Sequence, residues 1–564
     1  MADKRIIGLY CVPSIALPFG FDLYNSFGDT ELPVRGVISR IQNGAPADAV
    51  KTLLAYYHSV DPAKLRQSTN VEVDGIPAIF YVVATDDPRL IRYWVKYGGN
   101  PNATYGPRAF PLLAFCVMHD RKSRTMQQAT KTLETLLALG ASADAIPEIF
   151  YSPFNIKLDT NLLDTENAWH RNWRYRWCAT EERKAIASDL ASALNLTQRY
   201  RLFQASQTKP PSCRIATLAA RTGSERVLGL QYTVIGQQAA VAALKSRLMV
   251  KLALETDKPL VFLFAGPSGH GKSEIARSLG ELTSTEMISI DCTVVTDEKE
   301  LFGPRMHYKG SAKGSPLNNY LVRMSGSRGI VFLDEFEKTT TEIHNALLIP
   351  FDQGEYYDRR TSNKVSCSKT IWILATNIFD DYILDFCAQH RAGLFQPGQE
   401  KTTAQLLDDL KACLRKNCMF HFGHALTGRI SEIVPFLTFP SDEQAVVSHK
   451  GIMDFEARVR RPVVLSPNAN TSSYGQGDHL VGNVRLDIED EHEICSAIAT
   501  KGYLPQLGAR GILNAAAESV YTPLVSQYLD IDEDLKEDQP ETTFRVHVDA
   551  DQEIKVWQAL ARRD

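Results

Sequence analysis

Residues 259–282 read PLVFLFAGPSGHGKSEIARSLGEL, and their order decides how the rest of the chain is read. PLVFLFA is a short apolar run of the kind that forms a fully buried strand. It runs straight into GPSGHGKS: Gly266, four residues, then Gly271, Lys272 and Ser273. EIARSLGEL follows as a helix. Strand, glycine-rich turn and helix in this order are the context a phosphate-binding loop requires. The glycines let the backbone of Gly266, Pro267, Ser268, Gly269, His270 and Gly271 wrap an anion with its N–H groups inward, where the helix N-terminus also favours negative charge. Lys272 is expected to neutralise the β- and γ-phosphates of ATP, and the Ser273 hydroxyl to ligate Mg2+.

Further short apolar strands, MISID, GIVFLDE and TIWILATN, alternate with helical segments. That alternation is the signature of an α/β domain with a parallel sheet and crossover helices. GIVFLDE delivers Asp334 and Glu335 to a strand end. Two adjacent acids there would serve as helix caps in many proteins; beside a complete phosphate loop, Asp334 is expected in the Mg2+ shell and Glu335 as general base for an attacking water. Asn377 ends the next strand and is placed to hydrogen-bond that water or the γ-phosphate.

The fold class is multidomain. Residues 1–150 are expected to form α-helical repeats: DGIPAIFYVVATDDPRLIRYWVKYGGNPNA and AFPLLAFCVMHDRKSRTMQQATKTLETLLALGASADA each read as turn, short helix, turn and longer helix. Their closing turns, GGNPNA and GASADA, fit a period of about 33 residues with an insertion. This resembles ankyrin repeats, although the usual opening Thr-Pro-Leu-His is Ile-Pro-Ala-Ile here. Residues 151–225 read as a partly helical connector, 226–440 as the large α/β ATPase domain, and 441–564 as an α+β small (lid) domain. A loop is inserted in that last domain at about 460–485.

Composition is that of a soluble globular protein, 44% hydrophobic and 23% charged, and the net charge of −4 gives no general electrostatic reason to expect nucleic acid. No apolar run approaches the roughly 20 residues that span a bilayer, so no membrane partner is expected. The start, MADKRIIGLYCVPSIALPFG, lacks a signal-peptide h-region and the Arg/Ser-rich pattern of a transit peptide. Ten cysteines without regular spacing fit a reducing compartment, and a cytoplasmic location is expected. Cys413, Cys418, His421 and His424 superficially suggest a metal site, but their spacing fits no common zinc module; packing residues on a helix are the preferred reading.

The order VIGQQAAVAAL, GPSGHGKSE, LFGPRMHYKG, IVFLDEFEK, ATN, GRISEIVPF, GYLPQLGAR resembles that of Clp-type AAA+ ATPases, most closely the second ATPase module of ClpB-type disaggregases. The resemblance covers roughly residues 230–550. With repeats in the N-terminal position, the whole resembles ankyrin-containing ClpB homologues. It implies that Val234 and Ile235 lie over the adenine, that Arg429 is an arginine finger acting on the neighbouring subunit's nucleotide, and that Arg510 senses the γ-phosphate. A finger in trans implies a ring, a homohexamer. It also implies that Tyr308, with Lys309 beside it, lies on a loop that projects into the ring's pore. A tyrosine in so polar a loop either folds back onto its domain or grips passing chain; the resemblance favours the grip on unfolded or aggregated polypeptide. GEYYDRRTSN, with Tyr356 and Tyr357, is a second candidate pore segment. Gly428 and Ser431 replace the Asn and Asp usual around the finger. No Ile-Gly-Phe or Ile-Gly-Leu loop follows the Asn377 strand, so no peptidase partner is expected. An ATP-driven unfoldase, or disaggregase, is thus the leading expectation. The alternative is a nucleotide-switched scaffold acting through the repeats, which also bind a protein partner under the first reading.

Overall fold

The computed structural model describes residues 10–18, 20–28, 30–157, 172–178, 184–209, 211–254, 256–304, 313–396, 398–465, 478–551 and 553–559. The chain divides into two compact units, residues 211–444 with 502–512, and residues 1–210 with 445–501 and 513–564.

The first of these is built on a five-stranded parallel sheet. Its strands are β1 (Leu260–Ala265), β2 (Met287–Asp291), β3 (Gly329–Asp334), β4 (Thr370–Thr376) and β5 (Glu432–Pro435), in the spatial order β5-β1-β4-β3-β2. A parallel sheet needs cover on both faces, and the side-chain alternation supplies two apolar surfaces. Val261, Leu263, Val331, Leu333, Trp372, Leu374 and Ile433 belong to one buried cluster. Phe262, Phe264, Ile330, Phe332, Ile373, Ala375 and Val434 belong to the other. β4 pairs with β1 from Ile371–Leu260 to Thr376–Ala265 and with β3 from Thr370–Gly329 to Leu374–Leu333. The C-terminal ends of β1, β3 and β4 therefore emerge side by side, where open α/β sheets bind ligands.

Sequence readings in this unit meet two particular outcomes. A helix, Glu400–Thr427, runs through Cys413, Cys418, His421 and His424, broken only at Gly423 (φ 78°). Cys418 is in the core, and among the described residues no group of three or more His, Cys, Asp or Glu could hold a metal. Tyr356 does not behave as a pore residue. It is 7% exposed, packs on Phe302, and its hydroxyl donates to Asn318 Oδ1 at 2.8 Å; Tyr357, next in the hairpin, is exposed. The alternation of a two-stranded hairpin, Glu355–Tyr357 with Lys364–Ser366, turns one tyrosine into the core and the other out. Tyr308 and Lys309 lie outside the described residues, as do residues 466–477 of the 460–485 insertion.

In the second unit, helix pairs succeed one another: Val34–Gln42 with Ala47–Val60, Ala78–Val83 with Pro88–Lys96, and Leu112–Met118 with Met126–Ala138. Two-residue antiparallel pairings, Glu72–Val73 with Ile76–Pro77 and Thr104–Tyr105 with Phe110–Pro111, precede the second and third pairs. An asparagine ladder ties successive turns. Asn70 donates to the Gly98 carbonyl and accepts from Asn100 N; Asn102 donates to the Gly140 carbonyl and accepts from Ser142 N. Each amide satisfies a donor and an acceptor that a turn leaves open. Residues 445–501 and 513–564 contribute helices and a three-stranded sheet, β6 (Val484–Ile488), β7 (Thr542–Val548) and β8 (Ile554–Gln558), with β7 parallel to β6 and antiparallel to β8. Among the described residues no helix is long and apolar enough to cross a membrane.

Asp86 holds a buried polar junction in this unit. Its carboxylate accepts from Arg124 Nη2 at 2.7 Å and Thr132 Oγ1 at 2.7 Å, while Arg124 Nη1 donates to the Cys116 and His119 carbonyls. Replacing Asp86 by Ala strands the guanidinium in the interior, which is expected to cost about 3–5 kcal/mol. Scanning calorimetry on the full chain should show an earlier transition for Asp86→Ala; a variant melting with the wild type would contradict this.

Candidate functional site: a phosphate loop clasped by residues 502–512

β1, buried along its whole length, delivers the chain to Gly266 at the sheet edge. The loop turns through three glycines with positive φ, Gly266 (150°), Gly269 (73°) and Gly271 (94°), and enters the helix Lys272–Thr283. Lys272 is 7% exposed. Its ammonium donates to Asn377 Oδ1 at 2.6 Å, to the Pro267 carbonyl at 3.2 Å and to the Gly266 carbonyl. Burial pushes the Lys272 pKa down, while Asp380, Asp334 and Glu337 pull it up and Arg510 adds to the fall. A buried cation satisfied only by carbonyl-type oxygens, with a second cation close by, is an anion site in waiting.

Arg510 comes from the segment 502–512 and donates from Nη1 to Ser268 Oγ at 3.0 Å. The backbone of this segment clasps the loop directly: Ala509 N donates to the Gly269 carbonyl at 2.9 Å. Contact this close excludes side chains. A Cβ on Gly269 would lie 2.0 Å from the Leu507 carbonyl oxygen, and one on Gly508 2.7 Å from the Gly269 carbonyl oxygen. His270 completes the clasp. It is fully buried, stacks on Phe439 at 5.1 Å and 11°, and meets Tyr503 edge-on at 6.5 Å. Tyr503 OH in turn accepts from Phe439 N at 3.2 Å.

Across the sheet edge, Asp334 sits half-buried at the end of β3, and its Oδ1 accepts from Glu335 N at 3.1 Å. Glu335 is left-handed (φ 50°), a conformation uncommon outside glycine and asparagine and seen often at functional turns. The Ser273 hydroxyl is exposed and the Asp334 carboxylate half-buried, and both are hard-oxygen donors of the type Mg2+ takes. Val234 and Ile235 are 4% and 5% exposed, and Val234 Cγ1 lies 4.0 Å from where a Gly271 Cβ would be. The structure thus gathers Val234, Ser268, Gly269, His270, Gly271, Lys272, Asn377 and Arg510, with the Asp334–Glu335 turn beside them. Arg429 is not part of the gathering. It donates to the Ala425 carbonyl at 2.8 Å and pairs with Asp352 at 3.5 Å.

Four residues escaped the sequence reading. Phe439 and Tyr503 show no signal beyond being aromatic. Asp380 follows Asn377 by three residues, and an acid so near a polar strand end was a usable hint. Glu337 also belongs here, its Oε1 accepting from Asn377 N at 3.3 Å.

This fold and loop define a class, the AAA+ ATPases, and residues 257–433 match the family AAA domain (Cdc48 subfamily). This module is similar to Clp-type, ClpB-like ATPases. It is 30% identical to the chaperone protein ClpB of Chlamydia caviae over 232 residues, 40% of this chain and 25% of that protein. Against ClpB of Staphylococcus aureus it is 25% identical over 338 residues, 58% of this chain and 34% of that protein. The chain therefore spans a quarter to a third of the length of these curated relatives. A solved structure, the S. cerevisiae Hsp104:casein complex in an extended conformation, superposes with a TM-score of 0.44 at 19% identity, covering 66% of this chain and 61% of that one.

Burial pushes the His270 imidazole down to about 4, against about 6.5 in an unfolded chain. Below pH 6.5 the unfolded chain gains a proton that the folded loop refuses. This contribution to stability is thus complete above pH 6.5 and lost as pH falls towards 4. His270→Phe keeps the stack on Phe439 without a titrating group. Its melting temperature should fall less than the wild type's between pH 6.5 and 4.5; parallel declines would contradict the assignment.

Proposed function

We propose that the chain is an ATP-driven protein unfoldase of the disaggregase kind, working as a homohexameric ring. The observation that carries this reading is the buried Lys272, held by Asn377 and the loop carbonyls with Arg510 beside it on Ser268. Three separate parts of the chain, the loop, the β4 end and the 502–512 segment, meet at one cation, so a phosphate bound there touches all of them.

In the proposed cycle, an arriving γ-phosphate draws Lys272 away from Asn377 and Arg510 away from Ser268. Asn377, released, turns its amide to the attacking water. Glu335 takes the proton from that water as its oxygen attacks phosphorus and ADP departs. Mg2+ held by Ser273 and Asp334 would neutralise phosphate charge. Val234 and Ile235 pack against the adenine. Arg429 leaves Asp352 and reaches the nucleotide of the next subunit, which makes hydrolysis depend on the ring. On phosphate release the clasp at Gly269 and Gly508 is free to change, and that change moves the pore loop.

The grip is assigned to Tyr308 with Lys309. A flat aromatic ring contacts almost any extended peptide through apolar area, so it suits clients of unrelated sequence. Residues 1–150, read as ankyrin-like repeats, would recruit cargo or a protein partner; the helix pairs and asparagine ladder support the repeat reading. The proposal keeps the connector at 151–225, the ATPase domain at 226–440 and the lid at 441–564. It also keeps a cytoplasmic location and no peptidase, nucleic acid or membrane partner.

The test is ATP-dependent recovery of a heat-aggregated reporter enzyme. Wild type should restore activity, whereas Tyr308→Ala should hydrolyse ATP at an undiminished rate and restore none. Equal recovery by both proteins would remove Tyr308 as the grip, and recovery by neither would remove the disaggregase reading. A second expectation concerns the ring. Arg429→Ala should lower ATP turnover by roughly 10³-fold or more, the scale on which arginine fingers act, while leaving nucleotide binding intact. Turnover at the wild-type rate would exclude a finger at this position.

A further inference from the structure

We propose that Asp380 is a positioning residue for Lys272: a built-in counter-charge that competes with the nucleotide's phosphates for the lysine and thereby sets ATP affinity. This rests on the ATPase reading above and adds to it a residue that the motif order does not assign.

Asp380 opens the helix Asp380–Gln389 directly after β4, and its backbone N–H donates to the Asn377 carbonyl at 3.0 Å. Its place at a helix start has an ordinary explanation, stabilising the N-terminal dipole, but that explanation leaves one of its oxygens unaccounted for. The helix has no side-chain cap bond, and Asp381 supplies a second acid in the same turn. Asp380 Oδ1 is shut off from solvent and accepts no hydrogen bond. A carboxylate oxygen left in that state is costly unless a cation offsets it. The cation is Lys272: its charge favours the ionised form of Asp380, and Asp380 leads the acids, with Asp334 and Glu337, that hold the lysine's pKa up against burial.

The two groups nevertheless share no hydrogen bond, because the ammonium is engaged by Asn377 Oδ1, Pro267 O and Gly266 O. Asp380 therefore acts on Lys272 through space. Burial pushes the Asp380 carboxyl up to about 6 against the pull of Lys272, and the other charges facing it, Glu337 and Asp381, are both acidic and add to the rise. Glu337 also meets Asn377, its Oε1 accepting from Asn377 N and its Oε2 buried without a hydrogen-bond partner. Two acids thus adjoin the residue that holds the lysine in its resting place. A phosphate must outcompete this local negative charge to claim the ammonium.

Removing the Asp380 charge should leave more of the lysine's charge for phosphate and tighten nucleotide binding. A through-space interaction between partly buried unit charges is on the scale that gives roughly three- to tenfold in affinity. The experiment is a titration of the full-length protein with a fluorescent N-methylanthraniloyl ATP, alongside melting curves. Asp380→Asn and the smaller Asp380→Ser should both bind about three- to tenfold tighter than wild type, and Asp380→Glu should return towards the wild-type value. A merely structural role predicts no gain, and damaged folding cannot produce one. Affinity equal to or weaker than wild type in both neutral variants would overturn the proposal. A wild type that binds no nucleotide overturns the ATPase reading itself, and this inference with it.

Discussion

A single buried cation organises the nucleotide site. Lys272 lies under the edge of the parallel sheet, 7% exposed, and must find oxygen partners there because an isolated ammonium in the interior is expensive. The loop supplies two carbonyls and β4 supplies Asn377. Each partner exists because an apolar strand ends at the same level. β1 delivers the loop, β4 delivers Asn377, and β3 between β4 and β2 delivers Asp334 and Glu335. The sheet's two buried faces thus have a consequence beyond stability: they hold three strand ends in register around one charge.

The second constraint is steric. Gly269 and Gly508 face each other so closely that neither tolerates a Cβ, and the Ala509 N–H bonds across the gap. His270, sealed between Phe439 and Tyr503, fills the space beside that contact. A glycine-to-glycine joint braced by stacked rings makes the position of Arg510 depend on the conformation of the phosphate loop. Such a joint suits a site that must report whether a phosphate is present, since any shift of the loop is passed to the segment that grips it.

Much of this was readable in the chain itself. The phosphate loop, the acidic strand end and the asparagine strand end announce themselves because their chemistry demands fixed residue types at fixed strand termini. The parallel sheet follows from apolar runs too short and too continuous for anything else. What escaped reading depends on geometry. Tyr356 and Tyr357 are neighbours of the same type, and only the pleat of their hairpin decides that one is core and the other exposed. Phe439 and Tyr503 are far apart in sequence and become partners through His270. Asp380 matters because Lys272 is buried beside it, and burial is a property of the fold. The pairing of Arg429 with Asp352, likewise, joins a helix end to a residue of another helix across 77 positions.

The central claim is that Lys272 is the charge on which nucleotide binding and turnover turn. Its most direct test is phosphate release from ATP by purified full-length protein, wild type against Lys272→Ala, with a melting curve to show that both are folded. The account predicts steady ATP-dependent phosphate release by the wild type and none above background by the folded variant. A folded Lys272→Ala protein that releases phosphate at the wild-type rate would contradict it.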